Sequence, residues 1–136
     1  MFTYTTNLHL RDTDAAGLIY FPNLFNIAQE TLEAFMESVG MDIGLVLRST
    51  HYLFPVVHAE GDFKKPMYAG QRLRITLELE QIGTTSFTLA YRVWDRGEDE
   101  ELAIARVVHV VVDRQGGTKK PLPSTLMHAL EQLQAT

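Results

Sequence analysis

The chain has 136 residues, 46% of them apolar, with a formal net charge of −5, seven Phe, five Tyr, one Trp and no cysteine. That length suits one domain around a single core, expected over residues 1–136. The absence of cysteine excludes disulfides, thiolate metal sites and a Cys nucleophile. The acidic balance argues against nucleic acid as a partner, since phosphate binders carry a basic face. No apolar run approaches the roughly 20 residues that span a bilayer, and Met1 to Leu10 lacks the basic end and apolar core of a secretory signal. The expectation is a cytoplasmic protein with no membrane partner.

Phe2 to Leu10, rich in Thr, Tyr and Phe, reads as a strand. The polar loop Arg11 to Gly17 leads to a long helix, predicted from about Pro22 to Gly40. At about 100° per residue, Leu24, Phe25, Ile27, Ala28, Leu32, Phe35 and Met36 share one apolar arc. Asn23, Asn26, Glu30, Glu33 and Glu37 fall on the opposite side. Pro22 suits a first helical turn, where its missing N–H is not needed, and Gly40 suits the exit. A short helical piece is expected at about Ile43 to Arg48.

From His51 onward the period changes to two. His51 to Asp62 is a strand candidate broken near Pro55 and Gly61. Arg72 to Glu80 alternates, with Leu73, Ile75, Leu77 and Leu79 on one face; Phe87, Leu89, Tyr91 and Val93 give the next strand its buried face. Leu102 to Asp113 becomes apolar on both faces, the mark of a strand inside a sheet. Ser124 to Gln134 closes the chain as a helix. One strand, a long helix and four mostly antiparallel strands make an α+β design, a long helix wrapped by a curved five-stranded sheet.

The chemistry concentrates in Arg11-Asp-Thr-Asp-Ala-Ala-Gly-Leu-Ile-Tyr-Phe-Pro-Asn23. Two carboxylates precede a glycine and a helix start. Unpaired N–H groups at a helix N-terminus can hold a polarised carbonyl oxygen. A carboxylate a few residues upstream can attack the carbonyl carbon or activate water. Gly17 lets the backbone approach a ligand closely. The same residues also suit a simpler role, a polar loop in which an Asp caps the helix.

The run Asp12 to Asn23 closely resembles the signature of the 4-hydroxybenzoyl-CoA thioesterase family of hotdog proteins. A second block, Phe54-Pro-Val-Val-His-Ala-Glu-Gly-Asp-Phe-Lys-Lys-Pro-Met-Tyr-Ala-Gly70, is similar to that family's strand after the helix. The spacing of Ala105-Arg106 and the late Pro121-Leu-Pro123 agree more weakly. The resemblance implies a single hotdog domain that hydrolyses an acyl-CoA thioester, with Asp14 as nucleophile or general base. It implies that the Phe21 backbone N–H polarises the thioester carbonyl, that Gly17 is the motif's glycine, and that Tyr20 lines the acyl pocket. Many family members of broad or aliphatic specificity carry Glu where Gln29 stands, and here the carboxylate is Glu30. The pair Gln29-Glu30, Tyr20-Phe21 and Pro55 to Ala59 are more similar to the 1,4-dihydroxy-2-naphthoyl-CoA hydrolases of quinone biosynthesis. The family also implies homodimers, often paired into homotetramers, and no cofactor beyond the CoA of the substrate.

Tyr20, Phe21 and Phe54 offer aromatic surface to a flat acyl group. Gln29, Glu30 and His58 are further candidates for binding the substrate, with a solvated or interface carboxylate as the simpler reading of Glu30 and a hydrogen-bonded strand residue as that of His58. Lys64 and Lys65 are candidates for the CoA phosphates, as are Arg114, Lys119 and Lys120. His9, His109 and His128 read as structural or surface residues. No His pair has metal-ligand spacing beside a carboxylate, so no metal is expected. Gly-x-Ser-x-Gly, Gly-x-Gly-x-x-Gly and phosphate-loop motifs are missing. Two alternatives stay open: a hotdog dehydratase or hydratase pairing Asp14 with His58, and a non-catalytic acyl-CoA sensor.

Overall fold

The computed structural model describes residues 1–134; Ala135 and Thr136, the end of the expected domain, lie outside it. The helix α1 (Asn23–Ser38) buries Leu24, Ile27, Ala28, Leu32, Phe35 and Met36 on the arc its spacing predicts. Thr31 joins them, because its hydroxyl donates to the Ile27 carbonyl at 2.9 Å and so needs no outside partner. Phe25 is only half-buried. Gly40 ends the helix at φ +80°, a left-handed conformation that costs glycine little. A short helix, α2 (Ile43–Ser49), follows, capped by the Asp42 carboxylate at the Leu45 N–H.

Five strands form one antiparallel sheet: β1 (Phe2–Asn7), β3 (Val56–Phe63), β4 (Arg72–Ile82), β5 (Ser86–Asp95) and β6 (Glu100–Val110). Their order is β1-β4-β5-β6-β3. A separate ribbon pairs β2 (Tyr52–Leu53) with β7 (Val112–Asp113), and α3 (Ser124–Glu131) closes the chain. Leu73, Ile75 and Leu77 of β4 and Phe87, Leu89, Tyr91 and Val93 of β5 are buried, and with the α1 arc they form the core. The alternation works because successive strand side chains point to opposite faces. The fold is the α+β arrangement expected.

Several boundaries differ from expectation: the first strand ends at Asn7, before Leu10, and the strand expected over Leu102 to Asp113 begins at Glu100 and is interrupted after Val110. The chain between His51 and Asp62 breaks at Pro55, as expected, and runs straight through Gly61. A Cβ at Gly61 would stand 2.8 Å from the Leu24 side chain and 3.6 Å from that of Phe25. This glycine therefore lets α1 press on β3 and does not mark a turn. The last helix stops at Glu131, short of Gln134. β1 and β3 are the two edge strands, and all residues of β3 are exposed. Among the described residues no helix is long and apolar enough to cross a membrane.

Candidate active site

The chain leaves β1 through a 3-10 turn, Leu10–Asp12, and doubles back on itself. The Asp14 N–H donates to the Leu18 carbonyl at 2.8 Å, and the Gly17 N–H donates to the Asp14 carbonyl at 3.0 Å. Gly17 takes φ +79°, so glycine suits the tight return. The loop is then tied to the strand approach beyond Pro66. Ile19 N–H donates to Met67 O, and Ala69 N–H donates to Gly17 O.

The two carboxylates of the motif face different ways. Asp12 accepts from the His9 N–H at 3.2 Å, behind it, and stands 3.9 Å from Arg11 Nε. Asp14 is exposed; its Oδ1 accepts from the N–H groups of Ala16 at 2.8 Å and Leu18 at 3.3 Å. Its Oδ2 has no hydrogen-bond partner among the described residues. Two backbone donors on one oxygen orient the group and leave the other oxygen for chemistry. The Phe21 N–H, at the entry to α1, likewise finds no acceptor among the described residues. The Tyr20 and Phe21 rings lie 5.5 Å apart, and both are exposed.

A groove of about 370 Å³ runs beside this loop, lined by Leu18, Ile19, Phe21, Phe63, Lys64, Lys65, Pro66 and Met67. Its two lysines are paired: Lys64 Nζ lies 3.1 Å from Glu101, and Lys65 Nζ lies 3.5 Å from Glu100. Glu101 also takes Arg92 at 2.9 Å. Partial burial pushes the Glu101 carboxyl up, and its contacts with Lys64 and Arg92 more than reverse this, holding it below the ordinary range.

The other candidates go elsewhere. Gln29 and Phe54 line a second groove of about 430 Å³, between α1, α2 and the approach to β3. Its floor includes His109, which is buried, donates from Nδ1–H to the Phe54 carbonyl at 2.8 Å and stacks on Phe87 at 4.9 Å. Burial holds this imidazole below its ordinary pKa, against the opposing pull of the Phe54 carbonyl. Glu30, next in sequence to Gln29, turns into a third, polar cleft with Asp12 and accepts from the Tyr4 hydroxyl at 2.8 Å. That contact gives the Glu30 carboxylate a partner within the chain. Burial and Glu30 together raise the Tyr4 pKa to about 12.

His58 lies on β3 beside Glu60, at 3.3 Å. It shares its strand face with Glu60 and Asp62, opposite to the face that Gly61 turns to α1. Within one chain the structure brings it to none of these grooves. His9 and His128 are exposed, and no group of three or more potential metal ligands occurs among the described residues. Sequence reasoning missed Met67, Phe63 and Ile19 as groove walls. The contiguous run Phe63 to Met67 carried a usable signal, a strand end folding beside the motif.

A long helix lying on a five-stranded sheet, entered through a carboxylate loop, is the hotdog fold. The model of the Thioesterase-like superfamily matches residues 8–130, and the chain belongs to that superfamily. Among its relatives, the 1,4-dihydroxy-2-naphthoyl-CoA hydrolase of Rippkaea orientalis is 39% identical over 132 residues, 96% of each chain. The protein of the same name from Thermosynechococcus vestitus is 32% identical, covering 90% of this chain and 84% of its own. A crystal structure of a 1,4-dihydroxy-2-naphthoyl-CoA thioesterase from Synechocystis superposes with a TM-score of 0.91 at 29% identity, covering 99% of this chain and 98% of that one.

Proposed function

We propose that this chain hydrolyses an aromatic acyl-CoA, 1,4-dihydroxy-2-naphthoyl-CoA, to the free acid and CoA in the cytoplasm. One observation carries the reading. Two backbone N–H groups orient the Asp14 carboxylate through one oxygen, and neither its other oxygen nor the Phe21 N–H at the end of the loop has a partner among the described residues. In the proposed reaction the Phe21 N–H holds the thioester oxygen as negative charge develops there. Asp14 attacks the carbonyl carbon or takes a proton from water that does so. The C–S bond breaks and CoA leaves as the thiolate and takes a proton; where water attacks, the acid forms at once, and where Asp14 attacks, a water then cleaves the acyl–Asp14 anhydride to release the acid and restore the carboxylate. The names of the relatives support the substrate.

Lys64 and Lys65 receive the CoA phosphates, exchanging Glu101 and Glu100 for them, while Tyr20, Gln29 and Phe54 face the acyl group. No metal or separate cofactor takes part. The groove beside the Asp14 loop and the Gln29–Phe54 groove are separate within one chain, and β3 is an open edge exposed on both faces. Pairing two β3 strands would continue the sheet and set the Asp14 loop of one chain near the second block of the other. The working unit is therefore a homodimer or a homotetramer built from it.

The test is thiol release from aliphatic, benzoyl and naphthoyl CoA thioesters, run on species whose mass is measured by light scattering. The dihydroxynaphthoyl thioester should give the highest kcat/KM, in a species of two chains or more. A preference for long aliphatic chains would overturn the substrate, full activity in a monomer would overturn the assembly, and binding without turnover would leave a sensor.

A further inference from the structure

We propose that Asn23, the first residue of α1, is the positioning residue that sets the Asp14 carboxylate against the Phe21 N–H. The inference rests on the roles given to those two groups above. The loop has two limbs, residues 12–14 carrying the carboxylate and residues 20–21 carrying the N–H, and both meet at the Asp12 carbonyl. That oxygen accepts from the Tyr20 N–H at 2.9 Å and from Asn23 Nδ2 at 2.9 Å. A carbonyl has two lone pairs, so both are used. The Asn23 N–H donates to the Tyr20 carbonyl at 2.8 Å, closing a ring through residues 12, 20 and 23.

The amide cannot turn freely. Its oxygen accepts from Asn26 Nδ2 at 2.7 Å, one helical turn on, which leaves its NH2 facing Asp12. Asn23 is half-buried and Asn26 exposed, so the two amides lie on the open side of a helix start whose other side is held by the buried Leu24. A side chain at an exposed helix start that spends its donor on a loop carbonyl eleven residues back serves the loop. Without it, the two limbs are joined by the Tyr20 N–H alone at that oxygen.

Asn23→Asp is the discriminating variant. Aspartate is isosteric and favourable in a first helical turn, so a merely helical role predicts an unchanged or higher Tm and unchanged turnover. It cannot donate to the Asp12 carbonyl near neutral pH, so the positioning role predicts a fall in kcat. Asn23→Ala removes the same donor without adding charge. For both variants kcat should fall by at least ~10-fold, within the ~10²-fold that a small misplacement costs, with KM changed by less than ~2-fold. In an Asp14→Asn background, Asn23→Ala should add less than ~2-fold, because residues acting as a unit are not additive.

Wild-type kcat in both Asn23 variants would overturn the proposal, and so would a full additional loss in the Asp14→Asn background. Should Asp14→Asn itself turn over normally, the reading of Asp14 fails, and hydrogen exchange then decides for Asn23. Faster exchange of the Tyr20 and Asp14 amides in Asn23→Ala supports the clamp, and unchanged exchange overturns it.

Discussion

β4 and β5 hold their shape by burial: Leu73, Ile75, Leu77, Leu89 and Tyr91 are at most 1% exposed, and each strand is hydrogen-bonded on both sides. The loop from His9 to Asn23 has little of that. Asp14, Tyr20 and Phe21 are exposed, Asp12 and Ile19 are only half-buried, and its form comes mainly from backbone hydrogen bonds onto Asp12, Asp14 and Leu18. Packing determines stability and forgives little change of volume. A hydrogen-bonded surface loop contributes little to stability, yet it fixes where donors and acceptors sit. Stability and activity should therefore be separable by mutation in this molecule.

The largest effect should come from the sheet. Leu77→Ala empties a fully buried position, and a fall of about 2–5 kcal/mol in unfolding free energy is expected by urea titration, with KM of the folded fraction unchanged. Asp14→Asn should do the opposite, lowering kcat by at least ~10²-fold, or about 2.7 kcal/mol in the barrier, with Tm unchanged. Asp12→Asn is its control and should keep most activity; the reverse ranking would place the chemistry on the wrong carboxylate.

Gly61→Ala tests the seam between the two regions, where β3 meets the start of α1. The new methyl would meet Leu24 at 2.8 Å, so a loss of about 1–3 kcal/mol is expected by thermal or urea unfolding, together with some loss of kcat because α1 carries Phe21 at its entry. If stability falls and kcat does not, the loop is insulated from the core more fully than the hydrogen bonds suggest.

The smallest effect concerns pH. Burial lowers the His109 pKa from its ordinary 6.5, so below that value the unfolded chain binds a proton that the folded chain refuses. Stability should hold above about pH 6.5 and fall as the pH drops through the range beneath it. Tm recorded between about pH 7.5 and pH 5.5 should decline in the wild type and decline less in His109→Phe. An equal decline in both would assign the dependence to another group.

The sequence was most legible where one rule acts locally. The α1 arc and the alternation of β4 and β5 follow from side-chain geometry along one element, and the structure keeps both. The Asp14 loop was legible by its resemblance to a known motif, since periodicity alone yields only a polar loop before a helix. Gly61 misled, because a strand glycine that admits a neighbouring helix looks the same in sequence as one that ends a strand.

What the sequence by itself determined is the set of elements, the buried face of each, and the family to which its motif points. Tertiary structure decided which polar groups meet. Gln29 and Glu30 are neighbours in sequence, yet about 100° of helical rotation sends one to Phe54 and the other to Tyr4 and Asp12. Lys64 and Lys65 meet Glu101 and Glu100 because β3 and β6 lie side by side, and their charges alone do not select those partners. Asn23 reaches the Asp12 carbonyl because the loop folds back before the helix starts. Periodicity records which face is apolar; long-range pairing is set by the register of strands and the return of loops, and one-dimensional patterns do not encode it.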